Sequence, residues 1–339
     1  MGGMGGAGGA PASSSSTGGG ASSSSGMQCA DDGECAPGYC GGGACVLPEL
    51  FASGQNYPSS LALTADEVLW TNNTGGDIMR QSKAGSVPAP FVKGQKGPSE
   101  LVERDGVLFW CNTDGNSIST AKLGDPAGGF GQKVVDVDSP LRLATDGATL
   151  FIATTQVLLR AAVTGGPVSD LVTDVNWYGN ISQTAGIAHH EGMVYFSEYL
   201  GGRAARVSAA GGVPHVLAPG PGMLGMIAVD KSGVYWMGVE ASATKVWASD
   251  HAGSGATSVF QGGKVTAFSL PKIVTDDEAI YFSMDTVDTG GSGLRRKTKA
   301  GADVARVLAS GQEVVVDIAV DATHLYWISG SSILRIALP

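Results

Sequence analysis

The chain has 339 residues, of which 15% are charged and 52 are glycine. An average soluble protein carries about 25% charged residues and about 7% glycine, so this composition favours tight turns and β structure over helices. The formal net charge is −10, and the densest basic cluster is Arg295, Arg296, Lys297 and Lys299, which excludes the clustered footprint of a nucleic-acid binder; no apolar run reaches the roughly 18 residues of a membrane span.

Residues 1–26 hold ten Gly, eight Ser and four Ala, with no charge. Such a stretch cannot bury enough surface to offset chain entropy, and it reads as a disordered linker. It lacks the basic and apolar regions of a signal peptide. The expectation is a spacer that follows a signal or lipid-anchor segment of a longer precursor, with a cytosolic low-complexity tail as the alternative.

Four cysteines follow in residues 27–46: Cys29, Cys35, Cys40 and Cys45, spaced C-x5-C-x4-C-x4-C. No Cys-x2-Cys pair or nearby His supports zinc. The segment reads as a small disulfide knot, which implies an oxidising compartment. Four cysteines allow three connectivities. Adjacent pairs would close very short loops, which favours Cys29–Cys40 with Cys35–Cys45. Asp31, Asp32 and Glu34 are the carboxylates that could take Ca2+ or another divalent metal, although exposed acids of this kind mostly just meet solvent. Cys111 stands alone in a predicted strand and reads as a small buried hydrophobe.

From residue 58 onward one pattern recurs. Its copies are LALTADEVLW (61–70), LVERDGVLFW (101–110), LATDGATLFI (143–152), IAHHEGMVYF (187–196), IAVDKSGVYW (227–236), IVTDDEAIYF (273–282) and IAVDATHLYW (318–327). Their last positions, Trp70, Trp110, Ile152, Phe196, Trp236, Phe282 and Trp327, are separated by 40 to 46 residues. Two further strand-like segments follow each copy except the last, so a repeat is four short strands. Radial repetition of four-stranded sheets at this period describes a β-propeller. The last copy lacks its fourth strand, but LPELFASGQ (47–55) precedes the first copy and matches RVLASGQ (306–312). The expectation is an all-β, seven-bladed propeller over 47–339, with a strand near 47–55 completing the last blade. Small residues on the inner strand (Ala62, Ala144, Ala188, Ala228, Ala319) suit the crowded centre. Asp146, Asp230, Asp276 and Asp321 share one place in the first turn, where an Asp bonds its own backbone.

The motif I-A-V-D-x-x-x-L-Y-W (318–327), followed by Ile333-Leu334-Arg335, resembles the YWTD repeats of lipoprotein-receptor propellers and the NHL-type and virginiamycin B lyase-like repeats. YWTD propellers have six blades, and here Ile328-Ser329 and Met237-Gly238 stand where Thr-Asp would follow. The Cys-rich knot beside a Gly/Ser linker is similar to those of bacterial surface proteins. The resemblance implies architecture and transfers no function. Virginiamycin lyase-like enzymes use His and Glu with a metal, and no motif here carries those residues over.

Propeller ligands usually sit on the face bearing the loops into the first strand and the turns joining the second and third. There the pattern brings out Trp177 and Tyr178 in one loop and Glu198, Tyr199 and Arg203 in another. They offer aromatic stacking and a charge pair to a sugar or peptide. A plainer role is also open, with the aromatics covering a blade edge and Glu198 paired to Arg203. His189 and His190 point to opposite sides of a strand. His215, His251 and His324 fall in different repeat positions. No G-x-S-x-G and no phosphate loop occurs. These features point to a monomeric extracellular, periplasmic or surface-anchored binding module for a protein or glycan. An extracellular metal-dependent lyase or hydrolase and a pure scaffold are the alternatives.

Overall fold

A computed structural model describes residues 27–173, 184–199, 201–219, 223–240, 242–264, 271–286, 291–301 and 303–339; Trp177 and Tyr178 lie outside them. The described residues form seven four-stranded antiparallel sheets and one small hairpin. The blades span 58–92, 98–136, 142–170, 184–219, 223–264, 273–312 and 315–337, the last joined by Glu49–Ala52. Glu49 pairs with Arg335, Leu50 with Leu334 and Ala52 with Ile333. The closing strand expected from the sequence is therefore present, and both ends of the propeller are stapled into one sheet. The first strand of every blade contacts the first strands of its two neighbours, so the ring is complete.

Strands buried on both faces explain the near-continuous apolar runs. Among the described residues the core divides into seven clusters, each lying between two consecutive blades. Each wedge residue sits in one: Trp110 packs on Phe91 and Leu69 of blade 1, and Phe196 on Phe151 of blade 3. Ala62, Ala144 and Ala228 are buried in these same clusters, where the blades converge.

Three tryptophans are also pinned by hydrogen bonds. Trp70, Trp110 and Trp327 donate Nε1–H to the Oε1 atoms of Gln55, Gln95 and Gln312 at 2.8, 3.0 and 3.1 Å. Each glutamine ends or follows the outer strand of the preceding blade, so the bond fastens blade to blade. The glycine before it has a left-handed φ (67, 70 and 63° at Gly54, Gly94 and Gly311), which turns the chain out of the strand. The turn aspartates behave as their repeat position suggests: Asp146, Asp276 and Asp321 each accept two backbone N–H groups of their own turn.

Outer strands are edges that invite unwanted pairing. Gly128 and Gly129 of blade 2 bond back to Phe91 and Lys93 at 2.9 and 2.8 Å, and Gly212 of blade 4 bonds to Leu171 and Thr173, covering the edges of blades 1 and 3.

The knot, closed by the Cys29–Cys40 and Cys35–Cys45 disulfides, rests on blades 6 and 7. Tyr39 is 1% exposed within the cluster between them, and its hydroxyl donates to the Ala337 carbonyl at 2.7 Å. Arg306 of blade 6 grips Asp32 through two bonds of 3.0 and 2.7 Å, donates to the Cys40 carbonyl, and lies 4.6 Å over the Tyr39 ring.

Candidate functional site

Glu198 ends the second strand of blade 4 and Arg203 begins the third, so the hairpin turn brings them together. Arg203 donates Nε and Nη2 to the two Glu198 oxygens at 2.5 and 2.9 Å. Glu198 is fully buried. Burial pushes its carboxyl above the usual range, and the bonds and charge of Arg203 oppose that. Tyr199 is half-buried, and its carbonyl accepts the Leu224 N–H at 3.2 Å. Blade 5 repeats the device with a Glu240–Lys245 pair across its own turn.

A second grouping lies in the channel and escaped the sequence reading. The residue just before each repeat copy is Ser60, Glu100, Arg142, Gly186, Met226, Lys272 or Asp317. In blades 1, 2, 4, 5 and 7 the strand register shifts at this point. Such a bulge re-aims a side chain out of the pleat. Glu100 accordingly has φ +39°. The charged members act on one another electrostatically although they come from blades 2, 3, 6 and 7. Blades 2 and 6 stand on opposite sides of the ring, so these groups converge on its axis. Glu100 accepts from Arg142 Nη1 at 3.1 Å, and both side chains are less than one-fifth exposed. Arg142 Nε donates to the Ala185 carbonyl at 2.9 Å. Asp317 Oδ2 accepts the Leu61 N–H, and Ser60 Oγ the Leu101 N–H, both at 2.9 Å. Ring members thus also fasten neighbouring blades.

Burial dominates the electrostatics of this cluster. It pushes the Glu100 carboxyl up, with Arg142 opposing. It pushes the Lys272 ammonium down; Arg142 adds to that, while Asp317 and Glu100 oppose it. Cys111, a buried free thiol beside this cluster, is pushed well above the usual thiol range by burial and by Glu100.

Histidines that share no repeat position meet in space. His190 stacks on His251 of the next blade with centroids 4.9 Å apart, and His189 stacks on Phe151 at 5.3 Å. The knot carboxylates are engaged by the protein: Asp31 by Gly33 N–H, Asp32 by Arg306 and Cys40 N–H, Glu34 by Ala30 N–H. Among the described residues the one close group of potential metal ligands is Cys29, Cys35 and Cys45, whose sulfurs are in disulfides. A cleft of about 840 Å³ opens near the first turns of blades 2 and 3, at the other end of the blades from the loops that enter their first strands, lined by Phe91, Phe109, Val163, Arg104 and Lys122.

The geometry defines a seven-bladed β-propeller with a charged channel. No protein-family model matches the chain, and no curated protein matches it. Solved structures are similar to it in fold. A streptogramin B lyase is 12% identical with a TM-score of 0.69, over 87% of this chain and 98% of that one. The virginiamycin B lyase of Staphylococcus aureus is 13% identical with a TM-score of 0.66, over 87% and 99%. A computationally designed protein, Ika8, is 12% identical with a TM-score of 0.58, over 86% and 98%. The resemblance read from the repeats is thus present in three dimensions, and at this identity it shows the fold alone. No helix among the described residues is long and apolar enough to cross a membrane.

Proposed function

We propose that this chain is an extracellular or surface-held binding module that receives a protein or glycan partner on the face bearing its incoming loops. One observation carries the reading. Tyr57, in the loop into blade 1, is 72% exposed and has φ +60°. The same place in blade 2 is Gly97, with φ +63°. A side chain in this left-handed region costs about 1–2 kcal/mol. Two bonds hold the turn, from Asn73 N–H to the Tyr57 carbonyl and from Tyr57 N–H to the Gln55 carbonyl. A strained backbone that projects an aromatic ring into solvent is accounted for by contact with something outside the chain. Exposed Asn56, Lys96 and Asp114 on the same face supply polar bonds. Tyr199 and Arg203, the latter held by the buried Glu198, are proposed with Trp177 and Tyr178 as a second contact on this face, and the disulfides are compatible with an oxidising compartment.

The test is a thermal-shift and surface-plasmon screen of the full chain against oligosaccharides and cell-wall peptides. The expected result is a shift with at least one, which Tyr57→Gly weakens tenfold or more without lowering the unfolding midpoint of the unliganded chain. Unchanged affinity in both Tyr57→Gly and the Trp177→Ala/Tyr178→Ala double variant would overturn the reading.

A further inference from the structure

The channel ring is sorted by charge. Going round from blade 3 to blade 6 its members are Arg142, Gly186, Met226 and Lys272, two cations flanking an uncharged arc. From blade 7 to blade 2 they are Asp317, Ser60 and Glu100, two acids flanking a hydroxyl. Nothing in the fold asks for charge here, since Ser60, Gly186 and Met226 occupy the same place in three blades. Gly186 has no room for a side chain, because a Cβ would lie 2.7 Å from the Ile227 nitrogen.

The hydrogen-bond inventory shows what is left over. Arg142 is committed to Glu100 Oε2 and to the Ala185 carbonyl. Asp317 uses Oδ2 on Leu61, and Ser60 uses Oγ on Leu101. Lys272 donates its backbone N–H to Ser283 Oγ at 2.9 Å, while its ammonium makes no ion pair or hydrogen bond with any described residue. Among the described residues Asp317 Oδ1 and Glu100 Oε1 likewise carry no bond. The remaining valences among the described residues are therefore the Lys272 ammonium and Arg142 Nη2 on one half of the ring, since Arg142 bonds only through Nε and Nη1, and two carboxylate oxygens on the other. A desolvated charge without a partner is costly, and the arrangement gains when a ligand supplies the missing contacts.

We propose that the channel binds a small zwitterion of the α-amino acid class, its carboxylate on Lys272 beside Arg142 and its ammonium toward Asp317 and Glu100. The uncharged arc, at the half-buried Met226, accepts its apolar part. A simple anion satisfies Lys272 alone and adds repulsion from two acids. A simple amine does the reverse. A zwitterion meets both halves and leaves the net charge of the ring unchanged. This site does not rest on the loop-face reading, since partner binding at Tyr57 and ligand binding in the channel are measured separately.

The test is isothermal titration of the full chain with L-alanine and L-leucine, with acetate and ethylammonium as half-ligand probes. Saturable binding of at least one amino acid is expected, ten times tighter than either half-ligand. Lys272→Met and Asp317→Asn should each weaken it tenfold or more. Lys272→Met removes a half-buried charge that makes no ion pair or hydrogen bond with any described residue, so its unfolding midpoint should not fall, which separates lost binding from lost fold. No saturable binding of either amino acid, acetate binding as tightly as the amino acid, or binding indifferent to Lys272→Met would each overturn the proposal.

Discussion

The tryptophan pins allow one chemical change to be made three times in equivalent places with unequal expected costs. Gln312→Ala removes the acceptor of a single buried donor, the Trp327 Nε1–H. Gln95→Ala orphans the Trp110 Nε1–H and takes one of two partners from Asn112 Nδ2, which keeps Ser119 Oγ at 3.0 Å. Gln55→Ala orphans the Trp70 Nε1–H and removes the 3.3 Å bond of Asn72 Nδ2, which has no second acceptor among the described residues. All three indoles are fully buried. A buried donor left unsatisfied costs about 1–3 kcal/mol, so Gln312→Ala should cost about 1–2 kcal/mol and Gln55→Ala about 2–4 kcal/mol, with Gln95→Ala between. Urea titration followed by tryptophan fluorescence measures the series. A double-mutant cycle with Trp327→Phe isolates the bond, because phenylalanine has no donor to orphan. A coupling below about 0.5 kcal/mol, within the scatter of independent sites, or equal losses at the three glutamines, would refute the reasoning and mean that water replaces the amide oxygen at no cost.

Three other outcomes are expected. Stability should fall in two stages on acidification. Burial lowers the affinity of His189 and His324 for a proton, so their contribution is complete above the free value of about 6.5 and is lost as pH falls through the depressed folded value. Burial disfavours ionisation of Asp230 and Asp321, but bonds from Lys299 and Ser232 to the first, and from Lys83 and Thr323 to the second, outweigh it and hold both carboxyls at about 2. Their contribution is complete above the free value of about 4 and disappears toward pH 2, which urea midpoints taken from pH 8 to 2 would show. Gly186→Ala should cost about 1–3 kcal/mol by overpacking, while Gly124→Ala, whose Cβ meets nothing within 4 Å, should stay within about 0.5 kcal/mol in the same urea assay. Arg306→Met should loosen the knot, and limited proteolysis within residues 27–47 should speed up several-fold while the propeller stays folded.

The architecture was legible because its determinants repeat. A wedge residue buried between blades must recur once per blade, and Trp70, Trp110, Ile152, Phe196, Trp236, Phe282 and Trp327 do so at a spacing of 40 to 46 residues that leaves room for four strands and little else. The closing strand was legible for the same reason, since the segment ending in Gln55 copies the one ending in Gln312. The glutamine in that match also pins a tryptophan, which similarity alone does not reveal. The Glu198–Arg203 pair could be anticipated because five positions across a hairpin turn bring side chains together. The stacking of His190 on His251 could not, because it joins the turns of two blades that strand periodicity does not relate.

The channel ring was hidden for a different physical reason. Strand alternation assigns a side chain to one blade face or the other, and a bulge breaks that alternation at the ring position, so counting by twos sends Glu100 or Asp317 to the wrong place. Once the repeats are aligned, the same position becomes conspicuous by its variety. Places that build the blade hold one kind of residue: an aromatic or Ile at the wedge, Asp or Thr in most first turns, Ala in most inner strands. The ring position holds serine, glutamate, arginine, glycine, methionine, lysine and aspartate in seven otherwise equivalent settings. A fold that needed only closure would be served by small residues at all seven. Four half-buried charges segregated into opposite halves of the ring add a partial desolvation cost that closure does not require, and a dipolar ligand lying across the axis is the partner that offsets it.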